Sequence, residues 1–83
     1  MKLDLQTPEK SFPTVDVEEV VVPTVEGEAM ILPGHARLVS QLAEGTLSYR
    51  SPAEANRFAV KGGVVEVRDD HVLVLCDQAE PAV

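Results

Sequence analysis

Polar and apolar residues alternate with a period of two in several short runs of this 83-residue chain, and no stretch makes a convincing long helix. That pattern restricts the chain to short strands. Lys2 to Thr7 reads K-L-D-L-Q-T, which puts Leu3 and Leu5 on one face of a half-buried strand. Thr7-Pro8-Glu9-Lys10 breaks it, Ser11-Phe12 resumes an extended path, and Pro13-Thr14 breaks it again. From Val15 to Val22 the parity of the valines changes: Val15, Val17 and Val21 share one face, Val20 and Val22 the other. The apolar face therefore switches near Glu18-Glu19, as in a bulge or a strand that passes from one sheet to another. Pro23 is expected to close the run.

Downstream the pattern repeats. Ala36 to Leu42 carries Leu38, Val39 and Leu42. Ala43-Glu44-Gly45 is a turn, and Thr46 to Arg50 alternates with Leu47 and Tyr49 inward. Ser51-Pro52-Ala53-Glu54 has the helix-start order of cap serine, proline and glutamate, so a hairpin loop with one turn of helix is expected. Arg57 to Val60 forms a short strand, and Lys61-Gly62-Gly63 marks a bulge or a close backbone approach. Val64 to Arg68 and His71 to Asp77 flank Asp69-Asp70 as a tight hairpin. The second of these runs is apolar on both parities, which predicts a central strand covered on both faces. The expectation is an all-β sandwich or flattened barrel of about eight to ten short strands, spanning residues 1–78, with a C-terminal tail at 79–83.

Charge narrows the partners. Seven Lys and Arg stand against 14 Asp and Glu, for a net charge of −7. Such a surface repels phosphate backbones, so nucleic acid is excluded as a partner and basic proteins are favoured. A hydrophobic fraction of 45% marks a folding chain. The lone Cys76 fits a reducing compartment, and no apolar run nears the ~18 residues of a membrane span. No signal-peptide core is present at the N-terminus, and a soluble protein is expected.

The segment Gly27-Glu28-Ala29-Met30-Ile31-Leu32-Pro33-Gly34-His35 reads as an exposed loop between the two β-rich parts. Pro33-Gly34 suits the two central positions of a type II turn. The chemistry available nearby is thin. His71 and Cys76 lie five apart on one strand, hence on opposite faces, and no third ligand completes a metal site. Asp16, Glu18 and Glu19 suit a solvated strand edge rather than catalysis. Gly62-Gly63 precedes no helix and makes no phosphate loop. A free-standing carrier or protein-binding module is the alternative; a carrier presents a modified lysine at a hairpin tip, but Lys61 stands before the glycines and the tight hairpin carries Asp69-Asp70. No catalytic, cofactor or metal residue is expected, and the loop is a contact surface.

Gly27-Glu28 followed by Ile31-Leu32-Pro33-Gly34-His35-Ala36 resembles the G-E-L-G-I-x-P-G-H-A signature of the epsilon subunit of F-type ATP synthases. Thr7 to Lys10, Val15 to Pro23, Gly62 to Val67 (G-G-V-V-E-V) and Val72 to Ala79 resemble the family's other segments in order, so the likeness spans the chain. Met30 departs from it, standing where the signature has its second glycine. The resemblance implies a ten-stranded flattened barrel and a non-catalytic rotor subunit at the foot of the central stalk. It implies contact with the gamma subunit and with basic loops of the c-ring, at the cytoplasmic face of the cell membrane and without insertion into it. Glu28, Met30, Ile31, Leu32 and His35 are the expected interface residues, with Glu28 paired to a basic residue of the ring. Family members usually continue into an inhibitory C-terminal helical hairpin. The chain stops at Ala79-Glu80-Pro81-Ala82-Val83 and is expected to be a short form without that arm.

Overall fold

The alternating runs all become strands. A computed structural model describes residues 1–82 and contains β1 (Lys2–Gln6), β2 (Val15–Asp16), β3 (Glu19–Thr24), β4 (Gly27–Ile31), β5 (Leu38–Gln41), β6 (Gly45–Arg50), β7 (Ala55–Arg68) and β8 (His71–Pro81). Among the described residues there is no helix. The strands share one hydrogen-bonded sheet in the order β2-β1-β8-β7-β6-β3-β4, with β5 also on β7.

Strand β7 belongs to both halves of the molecule. Its first part, Ala55 to Val60, pairs with β6, and its last part, Val64 to Val67, pairs with β5 along the same edge. Between them Gly62 and Gly63 adopt φ of 69° and 117°. A Cβ on Gly63 would stand 1.9 Å from the carbonyl oxygen of Leu75, so only glycine lets β8 come this close. The expected close approach is therefore present. At this bend one half of the sheet folds over the other. A single core forms between them from Leu3, Leu5, Val65, Val67, Val72, Val74 and Cys76 on one side and Val20, Val22, Ile31, Leu47, Tyr49, Val60 and Ala79 on the other. Each fully buried Val, Leu or Ile contributes about 1.5–3 kcal/mol before chain entropy is subtracted. The sheet ends, β2 and β4, do not pair, so the domain is an open β-sandwich and not a closed barrel.

The parity switch at Glu18 is resolved as a break. Val15-Asp16 pairs with β1, whereas Glu19 to Thr24 pairs with β6 and β4, and Val17, Val20 and Val22 are all buried. Several expectations change. Pro23 does not end its strand; it lies within β3, beyond the last pair with β6 at Val21–Ser48, where a missing N–H is tolerated. Ser51 to Glu54 forms no helical turn. The Ser51 amide donates to the Glu54 carbonyl at 2.7 Å and its hydroxyl accepts from the Glu54 amide at 3.2 Å, closing the loop across the strand ends. Strand β8 is central by pairing, between β1 and β7, but is covered on one face only: Val72, Val74 and Cys76 are buried while Leu75 is 42% exposed. Nor does the chain become a tail after Gln78. Ala79 is buried opposite Val60, and Pro81 pairs with Phe58.

Candidate functional site

The Gly27–His35 segment is an edge strand followed by a turn, where a free loop was expected. A two-residue turn at Val25-Glu26 joins β3 to β4. The Thr24 hydroxyl braces it, donating to the Gly27 carbonyl at 2.6 Å and accepting from the Glu26 amide at 3.2 Å. Met30 sits in regular register opposite Val21 and has no positive φ, so this backbone has no need of the glycine found there in the signature. The strand ends in the type II turn read from the sequence. His35 donates its amide to the Leu32 carbonyl at 3.0 Å, and Gly34 takes φ 84°. The Gly34 amide is held in turn by Asp70 Oδ1 at 2.7 Å, which ties this turn to the β7–β8 hairpin.

Period-two geometry then sorts the expected interface residues. Glu28, Met30 and Leu32 point outward, with Met30 57% and Leu32 46% exposed. Ile31 points inward and is 0% exposed, so its side chain belongs to the core and offers nothing to a partner. His35 is half-buried and donates Nδ1–H to the Ala36 carbonyl at 2.6 Å. It borders an open cleft shared with Gly34, Arg37, Arg68, Asp69 and Asp70. Glu28 forms no ion pair among the described residues. The outward face of this hairpin is therefore an apolar strip with a free carboxylate at one end.

A second exposed apolar group was missed by the sequence reading. Val39, Val64 and Leu75 are 67%, 41% and 42% exposed, with Val64 and Leu75 directly opposed across β7 and β8. The signal was present in the apolar residues on both parities of β8, but it was read as burial on both faces.

The reactive side chains are dispersed. His71 Nε2 lies 2.5 Å from Asp4 Oδ2, and the Thr14 hydroxyl donates to the other carboxylate oxygen. The Thr14 hydrogen bond, then that from His71, holds the Asp4 carboxyl below its usual range. Cys76 is on the opposite, buried face of β8, where desolvation pushes its thiol up and away from reactivity. Lys2 beside Asp16 lowers that carboxyl. Arg50 reaches Glu18 at 3.7 Å and Glu19 at 3.8 Å, a surface cluster. Lys61 is exposed in the middle of β7, paired with Gln78 and far in sequence from either end of that strand. Among the described residues no group of three His, Cys, Asp or Glu side chains is placed to hold a metal ion.

The described residues form an acidic open sandwich that exposes apolar side chains on its outer faces. Residues 1–82 match the family model for the ATP synthase delta/epsilon chain beta-sandwich domain, and the chain belongs to that family. It is 45% identical over 82 residues to the ATP synthase epsilon chain of Dehalococcoides mccartyi, covering 99% of this chain and 59% of that one. With the epsilon chain of Solibacter usitatus the identity is 43%, covering 99% and 61%. The chain thus spans about six-tenths of the length of these curated relatives. In three dimensions it resembles a chain of the Euglena gracilis mitochondrial ATP synthase, in a structure of OSCP, F1 and the c-ring. The TM-score is 0.87 at 28% identity, over 95% of this chain and 51% of that one. A chain in the central stalk and c-ring of the Tetrahymena thermophila enzyme shares the fold, at TM-score 0.83 and 22% identity over 95% and 64%.

Proposed function

We propose that the chain is a non-catalytic central-stalk subunit of a proton- or sodium-translocating F-type ATP synthase, linking the gamma subunit to the c-ring. The observation that carries this reading is the fold match over 95% of the chain to a protein solved within an F1 and c-ring assembly. Glu28, Met30, Leu32 and His35 meet the ring, with the free Glu28 carboxylate facing a basic ring residue; Ile31 supports them from the core. Such an exposed pair contributes about 0.2–1 kcal/mol, so it sets orientation more than affinity. Apolar burial against gamma supplies most of the binding. A sandwich whose strands form one continuous ladder transmits rotation without absorbing it. The protein works at the cytoplasmic face of the membrane, held there by other subunits; no described helix is long and apolar enough to cross a bilayer.

The test is Glu28→Arg in a reconstituted complex. Retention on the gamma–c-ring assembly should fall by up to about fivefold, the upper value for one surface pair, while the melting temperature stays within a degree or so of the parent. Equal loss of folding would make Glu28 structural and the interface wrongly placed. The carrier reading is separated by intact mass, since it requires a lipoyl or biotinyl adduct on Lys61, and by failure of the chain to bind gamma at all.

A further inference from the structure

The chain contains two phenylalanines, one tyrosine and no tryptophan, and all of these aromatic residues line a single hollow. Phe12 comes from the segment after β1, where its amide donates to the Leu5 carbonyl at 3.1 Å. Tyr49 lies on β6 and Phe58 on β7. Phe12 and Phe58 meet edge to face with centroids 5.2 Å apart, and Tyr49 and Phe58 lie nearly parallel at 6.3 Å. Leu3 and Leu5 close the floor, and the hollow measures about 230 Å³. That exceeds the ~150 Å³ of an apolar cavity able to take a benzene ring. Glu54 is the one acidic group on the lining, and it is exposed, so it stands at the mouth. Its main chain is occupied by Ser51, at 2.7 Å and 3.2 Å, whereas its carboxylate has no ion pair among the described residues.

We propose that this hollow binds a quaternary alkylammonium group, its methyls against Phe12, Tyr49 and Phe58 and its charge answered by Glu54. Each wall selects for that chemistry. Aromatic faces attract cations, more strongly where water is excluded. A primary ammonium is compact and strongly hydrated, and apolar walls do not replace its water. Anions meet both the Glu54 carboxylate and a chain of net charge −7. A neutral apolar group fills the space but leaves the carboxylate unused. The same head group occurs on free methylated amines and on trimethylated lysine side chains.

Choline, its neutral isostere 3,3-dimethylbutan-1-ol and a peptide carrying one trimethyl-lysine are titrated into the 83-residue chain, with the aromatic ring signals followed by NMR. Choline should shift the rings of Phe12, Tyr49 and Phe58 and bind at least about threefold tighter than the isostere. Glu54→Gln should abolish that difference without changing the melting temperature, because the loop is held through the Glu54 main chain. Binding of choline without the peptide assigns a free cation as the natural occupant; peptide binding equal to or tighter than choline assigns a side chain. Equal binding of choline and isostere overturns the proposal, as do ring signals unmoved by choline or a Glu54→Gln variant with unchanged choline affinity.

Discussion

Ile31 and Met30 are neighbours in sequence and opposite in consequence. Ile31 is 0% exposed in the shared core and Met30 is 57% exposed on the outer face of β4. Ile31→Ala should therefore lower unfolding free energy by about 2–5 kcal/mol, the range for emptying a filled core site. Met30→Ala should change it by less than about 0.5 kcal/mol. Urea denaturation of the two variants checks both; similar losses would mean that the face of β4 has been assigned the wrong way round. The Gly34 turn was legible residue by residue, because proline and glycine specify their backbone angles locally. The inward face of Ile31 was not, since a loop assignment carries no parity. Only the pairing of β4 with β3 shows which side chains turn in.

At the scale of elements, one hydrogen bond joins the turn after β4 to the β7–β8 hairpin. Asp69 and Asp70 both have positive φ, 51° and 58°, as the second and third positions of a type I′ turn require. Glycine would suit Asp70's backbone better, yet Asp70 Oδ1 is what holds the Gly34 amide at 2.7 Å. Asp70→Gly should relieve local strain and leave overall stability within about 1 kcal/mol of the parent. It should also speed hydrogen exchange at the Gly34 amide severalfold, relative to Asp69→Gly. Unchanged exchange at Gly34 would show that the turn after β4 is held by its own residues. The Asp69-Asp70 hairpin was plain in the sequence. Its contact with residue 34 was not, because 36 residues separate the partners and no local pattern records such a distance.

For the whole molecule, the last residues of β8 close the sandwich. Removing Ala79 onward deletes a buried side chain, 5% exposed, and the pairs of Ala79, Glu80 and Pro81 with Val60, Ala59 and Phe58. Losing that burial and those ladder bonds should cost about 1–2 kcal/mol. For a domain of this size the melting temperature should then fall by roughly 5–15 °C. An unchanged transition in a scanning experiment would return these residues to the status of a tail. Strand β8 was expected to stop near Asp77 because Gln78, Glu80 and Pro81 weaken the alternation. Pairing with β7 overrides that weak propensity: β7 continues, and its backbone groups need a partner.

The amino-acid sequence by itself determined the all-β class, the turns at Pro33-Gly34 and Asp69-Asp70, the switch of apolar face at Glu18-Glu19 and the need for glycine at Gly34 and Gly63. These follow from side-chain period and allowed backbone angles, which act over a few residues. Tertiary structure alone decided that the sheet stays open, that Ile31 faces the core, that Val39, Val64 and Leu75 share an outer surface, and that Phe12, Tyr49 and Phe58 converge on one hollow. Those outcomes depend on strand order and register, which join residues far apart in the chain and leave no short-range mark.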